Sequence, residues 1–414
     1  MKKVLILSIA MVLTGLNSFA QWEKLNDSQT TQPLKSVFFT DVSTGYSVGL
    51  GGAILKTTNG GTVWDSLSSG TTESLNSISL INTNTGIITG NNGTILKTTN
   101  SGTSWVNISS GTTANLNSVC FPDANTGYAV GDYGTILKTS NSGTTWDILS
   151  SGTTTNLASV YFVNENTGYA VGTDIEGWFT FKTILKTTNG GTTWNNNSNW
   201  VYYILYLNSV YFTDANVGYI VGGFSGELGS YGGIMKTVDG GTSWTNPSIS
   251  GYSGILYSVF FPDADIGYSV GEWGSILKST DGGTTWNVQP SGTFQNLNSV
   301  YFPAGNTGYA AGDSGTILKT NNGGIPVGIN EKQQTNSLII YPNPAAERIT
   351  IVPSGLGINM NGTILIYGMS GQELIKQQVN DSKVELDVSL LPAGIYFVRY
   401  VNNGMVESGK FVRD

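Results

Sequence analysis

Acidic and aromatic side chains stand together at several short, glycine-bounded turns of this 414-residue chain, and these are the residues with most chemical potential. Asp132 precedes Tyr133, Glu272 precedes Trp273, and Asp313 occupies the matching place in a later turn. Two longer inserted segments repeat the theme, with Glu176, Trp178, Phe179 and Phe181 in the first and Phe224, Glu227 and Tyr231 in the second. Trp200, Tyr202 and Tyr203 fall in the segment between them. Two carboxylates held about 5 to 10 Å apart would hydrolyse a glycosidic bond. Exposed rings beside single carboxylates would instead stack on sugars or anchor a protein partner. Local roles compete with both, since acids suit tight turns and aromatic rings give long loops a small core of their own.

Composition removes most other chemistry. Histidine is absent, which excludes Ser-His and Cys-His nucleophile pairs, histidine bases and histidine metal sites. The three arginines, Arg348, Arg399 and Arg413, all lie near the C-terminus, so the rest of the chain has no guanidinium fork for carboxylate or phosphate. With a net charge of -8, no nucleic-acid partner is expected. Cys120 is the single cysteine and reads as a buried strand thiol. Neither a metal nor any other cofactor is called for.

The first residues have the form of a secretory signal over 1–20: Lys2 and Lys3, an apolar run from Val4 to Leu13, and Ser18-Phe19-Ala20 as a cleavage site. The run is too short to span a bilayer, which takes ~20 apolar residues, so no membrane span is expected.

The turns belong to a repeating unit. Leu34, Leu75, Leu116, Leu157, Leu207, Leu256 and Leu297 each open a phrase of the form LNSVYF, TGYAVG, GTILKTTNGGTTW, spaced 41 residues apart except for two steps of 50 and 49. Each unit holds four short β-branched and aromatic runs, A to D, punctuated by Asn, Asp, Gly or Pro. A unit of that size with four strands is the blade of a propeller, which hides its faces only against neighbouring blades.

The turn from C to D, Ser279-Thr280-Asp281-Gly282-Gly283-Thr284-Thr285-Trp286, resembles the Asp-box, also called the BNR repeat. Copies with Asp or Asn end in Trp64, Trp105, Trp146, Trp194 and Trp244. The chain from 21 to 325 therefore resembles Asp-box propellers, in particular the photosystem II assembly factor type, which shares the TGYAVG and ILKTxDGG phrases. The seventh copy stops at Asn322-Gly323-Gly324 without a Trp or strand D, whereas Gln21-Trp22-Glu23-Lys24-Leu25 matches Thr145-Trp146-Asp147-Ile148-Leu149. An all-β, seven-bladed propeller closed by its N-terminal strand is the expectation, with no edge left open.

Residues 326–337 read as a linker, and 338–414 as a small C-terminal β-sandwich of alternating strands. There, Tyr341-Pro342-Asn343-Pro344, Tyr367 with Gly371, and Gly394-Ile395-Tyr396 within PAGIYFV resemble the type A sorting domain of the type IX (Por) secretion system of Bacteroidetes. Gly368 departs from that family, which places Asp or Asn after the Tyr. The resemblance implies the type IX secretion machinery as a partner, outer-membrane export after the signal peptide, and a secreted or cell-surface protein.

Propeller geometry puts the B to C turns and the D to A loops on one face, so all the aromatic and acidic candidates share it. Insertions gathered on one face of a repeat protein mark its binding surface. The lysines of strand C, Lys56, Lys97, Lys138, Lys186, Lys236, Lys278 and Lys319, are expected to face solvent or pair locally. The favoured reading is a monomeric, non-catalytic binding propeller for a carbohydrate or protein ligand. The alternative is a secreted glycoside hydrolase acting on polysaccharide, since Asp-box propellers include such enzymes. Photosystem assembly follows from fold resemblance alone.

Overall fold

Strands dominate because the repeat alternates β-branched and aromatic residues between Gly-rich turns. The structure is a computed structural model describing residues 22–25, 29–176, 179–198, 206–226, 229–250, 254–324, 338–353, 362–368, 372–379, 381, 383–402 and 405–414. By its contacts the chain divides into two compact units, Met1–Val327 and Gly328–Asp414. The expected signal and linker lie outside the described residues.

Among the described residues the first unit contains seven sheets, one per repeat, antiparallel throughout except for one added strand in the sixth. In the third, strand A is Leu116–Cys120, B is Gly127–Gly131, C is Ile136–Thr139 and D is Asp147–Leu149, hydrogen-bonded in that order. Strand B is buried along its whole length in the first, second, third and sixth sheets. That requires Gly at its ends: a Cβ on Gly127 would sit 2.5 Å from the Phe121 ring, and one on Gly131 would sit 1.9 Å from the Asn115 carbonyl.

Successive sheets are tied through strand A. A serine at its bulge accepts from the next strand A, as in Ile78 N–H to Ser36 Oγ at 3.4 Å and Val119 N–H to Ser77 Oγ at 3.2 Å. The same bond returns from the seventh sheet to the first, Val37 N–H to Ser299 Oγ at 3.2 Å. Glu23–Lys24 completes the seventh sheet by pairing with Lys319 and Leu318, and Trp22 is buried edge-on against Tyr268 and Phe302.

The lysines of strand C, expected to face solvent or pair locally, mostly reach into the neighbouring sheet. Lys138 Nζ and Tyr128 OH both donate to the Gly190 carbonyl in the next C to D turn, at 2.8 and 2.9 Å, and Lys319 and Tyr309 do the same to Gly60 across the seam. The turn carbonyl accepts two donors, so each lysine acts as a clamp between sheets.

Sheet five departs from the pattern. It has three strands, and only Lys236 and Thr245 bridge where strand D belongs. In the second and fourth sheets the next bond along is donated by Ile108 or Asn197 N–H, to Ile95 or Ile184. The fifth repeat has Pro247 at that step, which has no N–H to give. Its chain instead leaves, and Ser248–Ser250 pairs in parallel with Thr285–Gln289 as a fifth strand of sheet six.

In the second unit, Ile339–Tyr341, Arg348–Val352 and Val384–Asp387 form one sheet, and Gly362–Tyr367, Glu373–Val379, Gly394–Asn402 and Met405–Arg413 form another. Both contribute to one buried cluster, with Ile349, Ile351 and Leu386 from the first and Ile364, Ile366, Val398 and Phe411 from the second.

Candidate functional site

The B to C turn is built the same way in five repeats. Gly51, Asn92, Tyr133, Trp273 and Ser314 occupy one position, with φ of 65, 52, 56, 57 and 54°. This left-handed conformation favours Gly and Asn and is costly for bulky residues. Tyr133 and Trp273 are held there nonetheless, 77% and 68% exposed, so burial does not account for them. Each is fixed by the following repeat: Tyr133 N–H donates to Asn156 Oδ1 at 2.9 Å and Trp273 N–H to Asn296 Oδ1 at 3.0 Å.

The carboxylates are engaged. Asp132 accepts from Asn115 Nδ2 at 2.8 Å and Asn117 Nδ2 at 3.0 Å, and that second amide also donates to the Leu157 carbonyl of the next repeat. Asp313 is gripped alike by Asn296 and Asn298, whose amide reaches the Leu34 carbonyl. Glu272 accepts from Ile255 N–H at 3.0 Å and Tyr257 OH at 3.3 Å. Each acid thus ties its turn to strand A of its own repeat, and the amides that grip Asp132 and Asp313 extend the link to the adjacent sheet.

The inserted segments are regular hairpins and not loops. Gly168–Glu176 pairs in unbroken register with Phe179–Thr187, and Gly218–Gly226 with Gly229–Thr237. The backbone of Glu176, Phe179 and Phe181 therefore lies in strands. Phe224 and Tyr231 face each other across the second hairpin, rings 6.4 Å apart and stacked, and both are exposed. Trp178, Trp200, Tyr202, Tyr203, Glu227 and Gly371 lie outside the described residues. Phe294, 85% exposed on the D to A loop of the sixth repeat, escaped the sequence reading. Its signal was a Phe where the third repeat has Thr154.

Aromatic side chains are thus distributed unevenly around the repeats. The third presents Tyr133, the fifth Phe224 and Tyr231, the sixth Trp273 and Phe294, whereas the first, second and seventh have Gly51, Asn92 and Ser314 at the turn. The opposite side holds the Asp-boxes, which are structural: Asp281 Oδ1 accepts from Thr284 and Thr285 N–H, and Trp286 is buried edge-on to Phe261. Cys120 is inert, its thiol pushed up to about 12 by burial. Among the described residues no group of three or more acids or thiols is placed to hold a metal ion.

In the second unit, Tyr341-Pro342 and Asn343-Pro344 are both cis. Asn343 acts as a strand surrogate, its Oδ1 accepting from Val412 N–H at 2.9 Å and its Nδ2 donating to the Lys410 carbonyl at 3.3 Å. Tyr396 OH donates to the Pro392 carbonyl at 2.6 Å, and Gly394 opens the same strand.

Residues 15–114 match the family described as photosynthesis system II assembly factor YCF48, and residues 339–413 match the secretion system C-terminal sorting domain. No curated protein matches the sequence. Among solved structures, YCF48 bound to D1 peptide is 19% identical with a TM-score of 0.59, over 73% of this chain and 95% of that one. A GH74 xyloglucanase of Xanthomonas campestris is 11% identical with a TM-score of 0.55, over 80% of this chain and 59% of that one. PorZ of Porphyromonas gingivalis, a surface component of its type IX secretion system, is 12% identical with a TM-score of 0.51, over 90% of this chain and 58% of that one. At such identities the likeness shows the propeller fold alone. The sorting tail implies export by the type IX system to the cell surface or beyond. The chain is all-β with a propeller fold that resembles the photosystem II assembly factor, followed by a segment that matches the secretion system C-terminal sorting domain.

Proposed function

We propose that a signal peptide over 1–20 is followed by a closed seven-bladed propeller over 21–325, a linker, and a β-sandwich sorting domain over 338–414. In this reading the exported propeller is a non-catalytic binding module. Its ligand, a carbohydrate or a protein, lies on the face that carries the B to C turns. The observation that carries this is the pair Tyr133 and Trp273: two bulky rings kept exposed at backbone positions where sister turns use Gly51 and Asn92. Strain retained without packing benefit points to use at the surface. The engagement of Asp132, Glu272 and Asp313 by amide, backbone and phenol donors supports binding over hydrolysis, since a glycosidase needs one acid free to give up a proton.

The test is retention of the purified chain on immobilised polysaccharides and on surface proteins, compared with a variant carrying Tyr133→Ala and Trp273→Ala, and with Trp178→Ala. Retention lost in the double variant without loss of folding is the expected result. Release of reducing sugar that disappears with Glu272→Gln would replace this reading by the hydrolase.

A further inference from the structure

One recess recurs beside the B to C turns, and one copy differs from its siblings. In the second repeat it is bordered by Asn92, Asn107 and Thr112 and holds about 640 Å³. At the seam it is bordered by Gln29, Gln32 and Ser314 and holds about 720 Å³. Beside the third repeat it widens to about 1080 Å³, because the long hairpin of the fourth sheet adds Asp174 and Lys182 to its wall. Its lining includes Tyr133 and Ile148, both largely exposed, so the groove offers an aromatic ring and an aliphatic side chain to a ligand. The remainder is lined by hydroxyls and an amide, among them Ser150, Thr154, Asn196 and Ser198.

This combination selects a ligand class. A flat ring beside hydroxyl and amide groups suits a molecule with one apolar face and many hydroxyls. A protein partner would cover about 800 Å² on each side around an apolar, aromatic-rich centre, whereas this groove is lined mostly by hydroxyl-bearing and other polar residues. One carboxylate and one ammonium balance within the groove, the chain carries -8 overall, and no arginine precedes Arg348, so a polyanion gains nothing here.

We propose that the groove between the third and fourth sheets binds neutral pyranose oligosaccharides, with a sugar face on Tyr133 and hydroxyls reaching Ser150, Thr154 and Asn196. This rests on the reading of the propeller as a binding module and narrows it to one ligand class at one of the seven repeats.

Titration calorimetry of the full chain with cellohexaose, xylohexaose, mannohexaose and, as the acidic comparison, oligogalacturonate tests it. At least one neutral hexaose is expected to bind and the oligogalacturonate to remain unbound. Tyr133→Asn, which installs the residue of the sister turn, is expected to weaken binding at least tenfold, and Trp273→Asn to change it less than twofold. Thr154→Trp, which fills the groove from an exposed loop position, gives a second route to the same loss should Tyr133→Asn fold poorly. Full affinity in both groove variants, binding of the acidic oligomer alone, or no neutral hexaose bound at millimolar concentration overturns the assignment. Glycan binding lost in Trp273→Asn and kept in Tyr133→Asn overturns the groove while leaving the binding module standing. Absence of retention on every polysaccharide and protein surface removes the module itself.

Discussion

Replacing Tyr133 by Asn separates a ring kept for its surface from one kept for packing. Tyr133 has φ 56° and ψ 33°, and Asn92 already occupies the equivalent position at φ 52°. A bulky residue loses roughly 1–2 kcal/mol in the left-handed region, of which Asn recovers about 1 kcal/mol. Against that stands the apolar contact removed. With the residue 77% exposed, roughly 50 Å² of a ~200 Å² side chain is covered, worth about 1.2 kcal/mol and nearer 0.9 after allowing for a compact unfolded chain. The two terms nearly cancel, so the net change is expected to stay within about 0.5 kcal/mol of zero, or within about 1 °C in the melting midpoint of a domain this large. Guanidinium unfolding followed by tryptophan fluorescence measures it, with Trp286→Ala as the packing control expected to lose about 3–5 kcal/mol. A loss above about 1 kcal/mol in Tyr133→Asn would show that the ring holds the fold together and would undo the argument that its strain serves the surface.

Further outcomes follow from the same geometry. Lys138→Met removes a charged donor from the Gly190 carbonyl, and a loss of about 1.5–3 kcal/mol is expected in equilibrium unfolding; no change would mean the clamp is incidental. Trp22→Ala should lose about 3–5 kcal/mol and expose the seventh sheet to limited proteolysis, and an unaffected variant would rule out closure by that strand. Asp281 is held down to about 2 by Thr285, through its backbone and then its hydroxyl, and Asp239 to about 2 by the Ser243 hydroxyl and backbone. Both lie below the unfolded value, so their contribution is complete above about pH 4 and fades as pH falls toward 2. Asp239→Asn with Asp281→Asn should flatten the acid-unfolding profile in that window, since Asn141 makes the same turn without titrating.

Much of the fold was legible because the repeat prints it seven times. The spacing of the leucines and the chemistry of the Asp-box placed strands A to C of the repeats, and the likeness of Gln21–Leu25 to a strand D anticipated the pairing of Glu23 and Lys24 with the seventh sheet. What escaped were relations between repeats. Whether Lys138 meets water or the Gly190 carbonyl depends on how adjacent sheets are rotated, which no single unit encodes. The inserted segments look like loops because Gly177 and Gly226 to Gly229 interrupt them, yet the flanking residues pair through the backbone, to which composition is a poor guide. Pro247 was the one visible sign of the displaced strand, since it alone removes the donor that sheets two and four use. At the candidate surface the acids and rings were found by type, but the left-handed backbone beneath Tyr133 and Trp273 belongs to the turn and not to the residue.

The union of Glu23 and Lys24 with Leu318 and Lys319 means that the earliest and the latest segments of this unit finish in one sheet. A chain translated in order therefore holds its opening strand in waiting until nearly three hundred further residues have been made. A prematurely terminated product would leave Trp22 without its socket and a row of amides bare, a state open to proteases. The last stitch thus doubles as a test of completeness for this unit, passed only when the segments around Glu23 and Lys319 are both present.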